Sequence, residues 1–183
     1  MTEFYSRALV IGREESGEMD GVVHLFTEKY GKITARARSL RKITSKSSAH
    51  LQILQFIQVR FISSKKAGGG FIIMDVLWDE NMKQIQPHTR YELLPVVYAL
   101  NRLLGEFQTE PKLWMLLETA FRKSYNVMNI ARVMLRILGF DPEHAQCGVC
   151  GKKSVHAFVV GDDKFICVSC TSQLPVDTIV LEV

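Results

Sequence analysis

Four cysteines carry the most specific chemistry in this chain. Cys147-Gly148-Val149-Cys150 and Cys167-Val168-Ser169-Cys170 form two C-x2-C pairs separated by 16 residues. Each short spacing turns two thiolates toward one ion, and four thiolates complete the tetrahedral shell of zinc. A saturated shell leaves no position for a reacting water, so the expected Zn2+ is structural, held by Cys147, Cys150, Cys167 and Cys170. His144 and His156 lie nearby and could replace a cysteine, but neither has ligand spacing. Clustering of all four cysteines near the C-terminus argues against a disulfide framework, and a two-disulfide module would require an oxidising compartment of which the sequence gives no sign.

A second pattern is electrostatic. Lys29 to Met74 holds ten of the chain's 23 Lys and Arg residues and none of its 19 Asp and Glu, so the net charge of +4 hides a basic stretch set in an acidic remainder. A field segregated in this way concentrates polyanions. Within it, Lys32, Arg36, Arg38, Arg41, Lys42, Lys46 and Arg60 are the candidate nucleic-acid contacts, neutralising phosphates without reading bases. Phe26 and Phe56 could offer stacking surfaces, although core packing is the plainer reading of both.

These residues must be positioned by ordinary elements. Tyr5 to Arg13 contains the apolar run Ala8-Leu9-Val10-Ile11, and Glu14, Glu15, Glu18 and Asp20 follow in an expected turn. Val22 to Thr27 is a second strand. Lys32 to Arg38 alternates strictly, with Ile33, Ala35 and Ala37 on one face and Lys32, Thr34, Arg36 and Arg38 on the other. Ser39 to His50 reads as a mobile basic loop. Leu51 to Ile62 reads as a long strand with Ile57, Val59 and Phe61 inward, and Phe71 to Trp78 as a fifth; Gly68-Gly69-Gly70 suits a hairpin turn, since no Gly-Lys-Ser/Thr follows it. Five short strands with one basic face suit an antiparallel barrel of the OB type, and an SH3-like barrel would leave nearly the same pattern.

From His88 the apolar period changes to about 3.6. Leu93, Val97, Leu100 and Leu104 form one stripe; Leu113, Leu116, Leu117, Ala120 and Phe121 a second; Ile130, Val133, Met134, Ile137 and Leu138 a third. Pro87 and Pro111 sit near two helix starts. Arg132 and Arg136 share the polar side of the third helix. The expected class is therefore α+β: residues 1–80 form a five-stranded OB-type nucleic-acid-binding barrel, and residues 81–183 a helical domain carrying the zinc motif at 147–170. No apolar run approaches the roughly 18 residues needed to span a membrane, and the N-terminus has no apolar signal core, so a soluble, cytoplasmic protein is expected.

In their order, these residues resemble the bacterial recombination mediator family RecO. The resemblance runs through Ala8-Leu9-Val10-Ile11, Glu18-Met19-Asp20, Leu25-Phe26-Thr27, Gly31-Lys32-Ile33, Ala37-Arg38-Ser39-Leu40-Arg41-Lys42, Ser45-Lys46 and Leu51-Gln52. It resumes at Arg132 to Leu138, Gly139-Phe140-Asp141-Pro142 and the two cysteine pairs. Ser39 stands where the family usually has glycine. The resemblance implies an OB domain that binds single- and double-stranded DNA, annealing of complementary strands, contact with single-stranded-DNA-binding protein, and action with RecR to load the RecA recombinase at gaps near the bacterial nucleoid. It also implies further helices after the second cysteine pair, which this chain, ending at Val183, does not include, and part of the surface for the single-strand-binding protein's tail is expected there.

Two other classes remain open to the sequence. One is a nucleic-acid-processing enzyme with an OB domain and a zinc module, although there is no P-loop, no Cys/His or Ser/His arrangement and no carboxylate cluster suited to catalytic magnesium. The other is a zinc-ribbon protein that binds RNA.

Overall fold

In a computed structural model the structure describes residues 2–16, 20–38, 46–63, 70–82, 87–123 and 126–183. Strands β1 (Glu3–Ser16), β2 (Asp20–Thr27), β3 (Gly31–Ala37), β4 (Phe56–Ser63) and β5 (Phe71–Trp78) close into a barrel in the order β1-β2-β3-β5-β4, with β4 returning to β1. The pairings are antiparallel except for a short parallel contact between β3 and β5, Ala35 with Phe71 and Arg36 with Ile72. This five-stranded closure is OB-like.

The run Ala8-Leu9-Val10-Ile11 is continuously apolar because both faces of β1 are covered. Ala8 and Val10 point into the barrel with Val23, Leu25, Ile33, Ala35, Ile57, Val59, Phe61 and Val76. Leu9 and Ile11 point outward, beside Phe26 and Phe56, into a second core shared with the helices. An alternating strand could expose its second face to water; this one cannot. Gly12 lies at the irregularity between Val10 and Gly12 in the β1–β2 register, where a Cβ would meet Asn101 Nδ2 at 2.7 Å and His24 Cδ2 at 2.9 Å. Absence of a side chain there lets the following helix come down onto the strand.

The sequence expectation fails at three places in this half. β1 continues to Ser16, so Glu14 pairs with Val22 in a strand and not in a turn. The expected loop from Ser39 to His50 contains the short helix α1 (Lys46–His50), while residues 39–45 lie outside the described residues. The fourth strand starts at Phe56, not Leu51: Leu51 turns into the barrel, whereas Leu54 turns into the shared core with φ 69°, a reversal that strand periodicity cannot accommodate.

Helices α2 (Pro87–Leu103), α3 (Pro111–Lys123) and α4 (Val127–Ile137) follow. Asn126 caps α4, its side chain accepting from the Met128 backbone N–H at 2.8 Å. The α2 stripe is buried as expected, the α3 stripe is buried at Leu113, Leu117 and Ala120 and half-buried at Leu116 and Phe121, but α4 is rotated. Its buried residues are Ile130, Ala131, Met134 and Leu135, and Val133 is exposed. The three helices pack on the outer faces of β1, β2 and β4 and on a small three-stranded sheet, β7-β6-β8, built from β6 (Ala157–Val159), β7 (Lys164–Ile166) and β8 (Val180–Glu182). The β6–β7 hairpin is the one expected between the cysteine pairs. β8 is the addition, since three residues give little periodicity to read. Arg102 anchors the hairpin turn to the end of α2, donating to the Val160 and Gly161 carbonyls at 2.8 Å each.

Candidate metal centre and basic barrel face

The hairpin determines where the sulfurs meet. Before it, Gly151 N–H donates to the Cys147 carbonyl at 2.9 Å, and Gly148 N–H donates across to the Phe165 carbonyl at 2.8 Å, so the first knuckle is held against β7. After it, Cys167 precedes the single turn α5 (Val168–Thr171), whose Cys170 and Thr171 N–H groups return to the Cys167 carbonyl at 3.0 Å each. The four Sγ atoms consequently lie within 4.8 Å of one another. All four cysteines are free, and Cys150 and Cys167 Sγ are 3.6 Å apart, far beyond a disulfide bond of about 2.05 Å. A tetrahedral metal with bonds of about 2.3 Å to sulfur would hold its ligands near 3.8 Å from one another, which this cluster fits.

The electrostatics of the cluster also favour a cation. Backbone N–H groups of Cys150, then Cys167 and Val149, hold the Cys147 thiol down to about 6. Burial pushes the Cys170 thiol up to about 12, and the neighbouring thiols of Cys150, Cys167 and Cys147 add to the rise. A bound metal would supply the positive charge that lets all four sulfurs stand together as thiolates. His144 is exposed and bonded to Asp141 at 3.0 Å; neither it nor His156 belongs to the cluster.

Among the described residues the expected phosphate contacts fall on different elements. Arg36 is exposed on β3 and makes a loose 3.8 Å pair with Asp20; Arg38 is exposed just beyond the strand. Thr34, between Lys32 and Arg36, donates to Glu106 at 2.6 Å and bonds His24 at 3.0 Å. Arg60 is on β4, away from β3, within 3.6 Å of Glu3. Arg41 and Lys42 lie outside the described residues, and Lys46 is the first residue of α1. Lys32 is engaged elsewhere: its ammonium donates to the carbonyls of Asn101 and of Leu104 at the end of α2, the latter at 3.2 Å. A lysine at a helix C-terminus satisfies orphan carbonyls and meets the negative end of the dipole, so this cation ties the barrel to the helices.

Sequence reading missed the other tie. Arg7, on β1, donates to Asp79 at 2.7 Å and Glu118 at 2.7 Å, approaches Glu28 at 3.7 Å, and lies 5.5 Å from the centre of the Trp114 ring. Asp79's side chain is 0% exposed; this arginine gives the buried carboxylate a cation, and the Asn81 backbone and side-chain N–H groups donate to its other oxygen. Partners 72 and 111 residues away leave no local signal. Phe26 and Phe56 resolve as core, their rings 5.8 and 5.6 Å from that of Trp114, and neither is available to a ligand. Arg136 is paired with Asp141 and Glu143. Among the described residues no helix is long and apolar enough to cross a membrane.

The described residues thus define an α+β protein in which an OB-like barrel shares a core with helices and with a module whose four cysteines are clustered as for a metal ion. The family model described as recombination protein O N terminal matches residues 1–73. The chain is 30% identical over 184 residues to DNA repair protein RecO of Bacillus pumilus, covering 93% of this chain and 69% of that protein. It is 28% identical to DNA repair protein RecO of Thermodesulfovibrio yellowstonii, covering 93% and 71%, and 24% identical to that of Streptomyces coelicolor, covering 93% and 75%. The chain belongs to the RecO family, and its role is in DNA repair and recombination.

Proposed function

We propose that the chain is a recombination mediator that binds single- and double-stranded DNA, anneals complementary strands and, with RecR, helps load RecA at gaps covered by single-stranded-DNA-binding protein. Residues 1–80 act as the nucleic-acid-binding domain and residues 81–183 carry the module that holds a structural Zn2+ at Cys147, Cys150, Cys167 and Cys170. No chemical step is needed. Two strands held in one positive field repel each other less, and pairing follows. The protein works in the bacterial cytoplasm, at the nucleoid.

One observation carries this reading: the acid-free stretch from Lys29 to Met74 supplies β3, β4 and the start of β5, so the basic charge belongs to the barrel. Arg36 and Arg38 are its exposed cations on and just after β3, joined by Arg41, Lys42 and Lys46 in the following segment and by Arg60 on β4. Lys32 supports the scaffold. The test is annealing of complementary oligonucleotides coated with single-stranded-DNA-binding protein, without ATP. Acceleration that weakens with salt is expected. For about four neutralised phosphates on a single strand, log affinity should fall against log salt with a slope near −3. Unchanged binding after Arg36, Arg38, Arg41 and Lys42 are all replaced by Ala would overturn it.

A further inference from the structure

We infer that Phe107 is a base-stacking residue, placed at the edge of the basic strand by the loop between α2 and α3. This rests on the reading of the barrel as a DNA-binding element, and adds a group that contacts bases where the cations contact phosphates.

Phe107 departs from what an aromatic side chain ordinarily does in three ways. It sits in a polar connection, Gly105-Glu106-Phe107-Gln108-Thr109-Glu110, where nothing requires a large apolar side chain. The residue is 61% exposed, whereas the barrel's phenylalanines are buried or half-buried. Its backbone has φ 62°, in the left-handed region that bulky residues avoid, and such outliers persist only where the surroundings impose them. Here the surroundings do impose it. Phe107 N–H donates to the Lys32 carbonyl at 2.8 Å, Glu106 bridges to Lys32 as a short parallel addition to β3, and Gly105 N–H is held by the Gln108 side chain at 3.1 Å. The β2–β3 turn packs directly on this loop: a Cβ on Gly31, whose φ is 70°, would lie 2.1 Å from the Gln108 carbonyl oxygen.

The result is an aromatic ring fixed beside a sheet edge. Phe107 meets Phe71 edge to face at 5.9 Å, and Phe71 is in turn braced on Phe61 and Phe4. Even with that contact Phe107 stays largely exposed. Along β3, the strand that Phe107 flanks at Lys32, Arg36 lies four residues farther on, about 13 Å at strand rise. Glu106, which accepts from Thr34, puts a carboxylate between these points. A phosphate is disfavoured at the Glu106 end and favoured at Arg36 and Arg38, whereas an uncharged base is acceptable beside the carboxylate. The chemistry therefore sorts a single strand: phosphates toward the arginines, a base against Phe107. A duplex, whose bases are stacked on one another, cannot use the ring in this way.

The experiment measures affinities of the full chain for a single-stranded oligonucleotide and for duplex DNA across a salt series. It compares wild type, Phe107→Ala, Phe107→Leu, Phe107→Trp and the double variant Arg36→Ala, Arg38→Ala. Phe107→Ala and Phe107→Leu should each weaken single-strand binding about 5- to 100-fold, with duplex affinity and the salt slope unchanged. Leu retains an apolar contact with Phe71, so a loss seen with Leu is not a folding defect. Phe107→Trp should keep the affinity, and its added fluorescence should be quenched by the oligonucleotide. Equal single-strand affinity in Phe107→Ala, or equal losses on single strand and duplex, overturns the stacking assignment and leaves the phosphate reading intact. Wild type that binds no single strand overturns both.

Discussion

The barrel and the cysteine module are both small β-structures, yet different physics holds them. The barrel interior is filled by aliphatic residues and Phe61, and its five strands pair around a closed ring, leaving few main-chain edges to protect. The module has strands of three residues each, and half of the six buried residues in its own cluster are Cys147, Cys167 and Cys170. Its other face, Phe158, Val160, Phe165 and Leu181, is docked onto the helices. Hydrophobic burial therefore suffices for the first structure and supplies only one side of the second. The barrel interior needs no ligand, although its outer face on β1, β2 and β4 is covered by the helices; the module's fold is expected to depend on what the sulfurs bind.

Removing the metal is the strongest way to break that comparison. A chelator, or Cys167→Ser, should abolish hydrogen-exchange protection in Ala157–Val159 and Lys164–Ile166 while amides of β1, β2 and β4 stay protected. Metal-coupled folding energy in such modules is on the order of 10 kcal/mol, far more than one docked hairpin face can replace. Protection that survives in the hairpin would show that its apolar face alone specifies the fold, and the distinction between the two regions would collapse.

The junction between the regions gives the next effect. Arg7→Met leaves the Asp79 carboxylate buried without its cation, which should cost about 3–5 kcal/mol in urea unfolding. Adding Asp79→Leu removes the stranded charge and should recover most of the loss; no recovery would mean that the arginine matters through Glu118 and Trp114 instead. Acid probes the Glu118 arm separately. Arg7 holds the Glu118 carboxyl below its ordinary value of 4.5, with Arg122 adding to this. The folded state thus favours the charged form. That stabilisation is present above about pH 4.5 and is lost as pH falls through the lower folded value. Wild type should lose stability more steeply than Glu118→Gln below about pH 4.5, and parallel curves would remove Glu118 from the junction.

The same contrast explains what could be read from the chain. The cysteine cluster was legible because its determinant is local: two C-x2-C knuckles and a hairpin-forming run between them need no distant partner. The interior face of β3 was legible for a similar reason, since Ile33, Ala35 and Ala37 alternate with polar residues. Arg7 was not, because Asp79 and Glu118 come from a strand end and a helix that meet β1 only after folding. Val133 and Leu135 exchanged roles because α4 is covered on one side by the helices and on another by β8, and the sequence pattern alone does not fix that rotation. The basic stretch was visible as charge, but charge does not say which cations remain free. Lys32 has the same alternation as Arg36 and a different task.

Lys32 is also where the smallest effect is the most informative. Its ammonium meets two carbonyls at the end of α2, while its strand position is the one that a phosphate-binding face would use. Lys32→Met keeps most of the aliphatic stem and removes the charge, so packing against α2 is largely preserved and the lost interaction is that of a cation with a helix C-terminus. A cost of about 0.5–1 kcal/mol is expected. The salt slope for single-stranded DNA should not move, whereas Arg36→Ala and Arg38→Ala should each reduce it by about 0.7. Equal reductions in all three would mean that Lys32 exchanges the helix carbonyls for phosphate on binding. The tie between barrel and helices would then loosen whenever DNA is held.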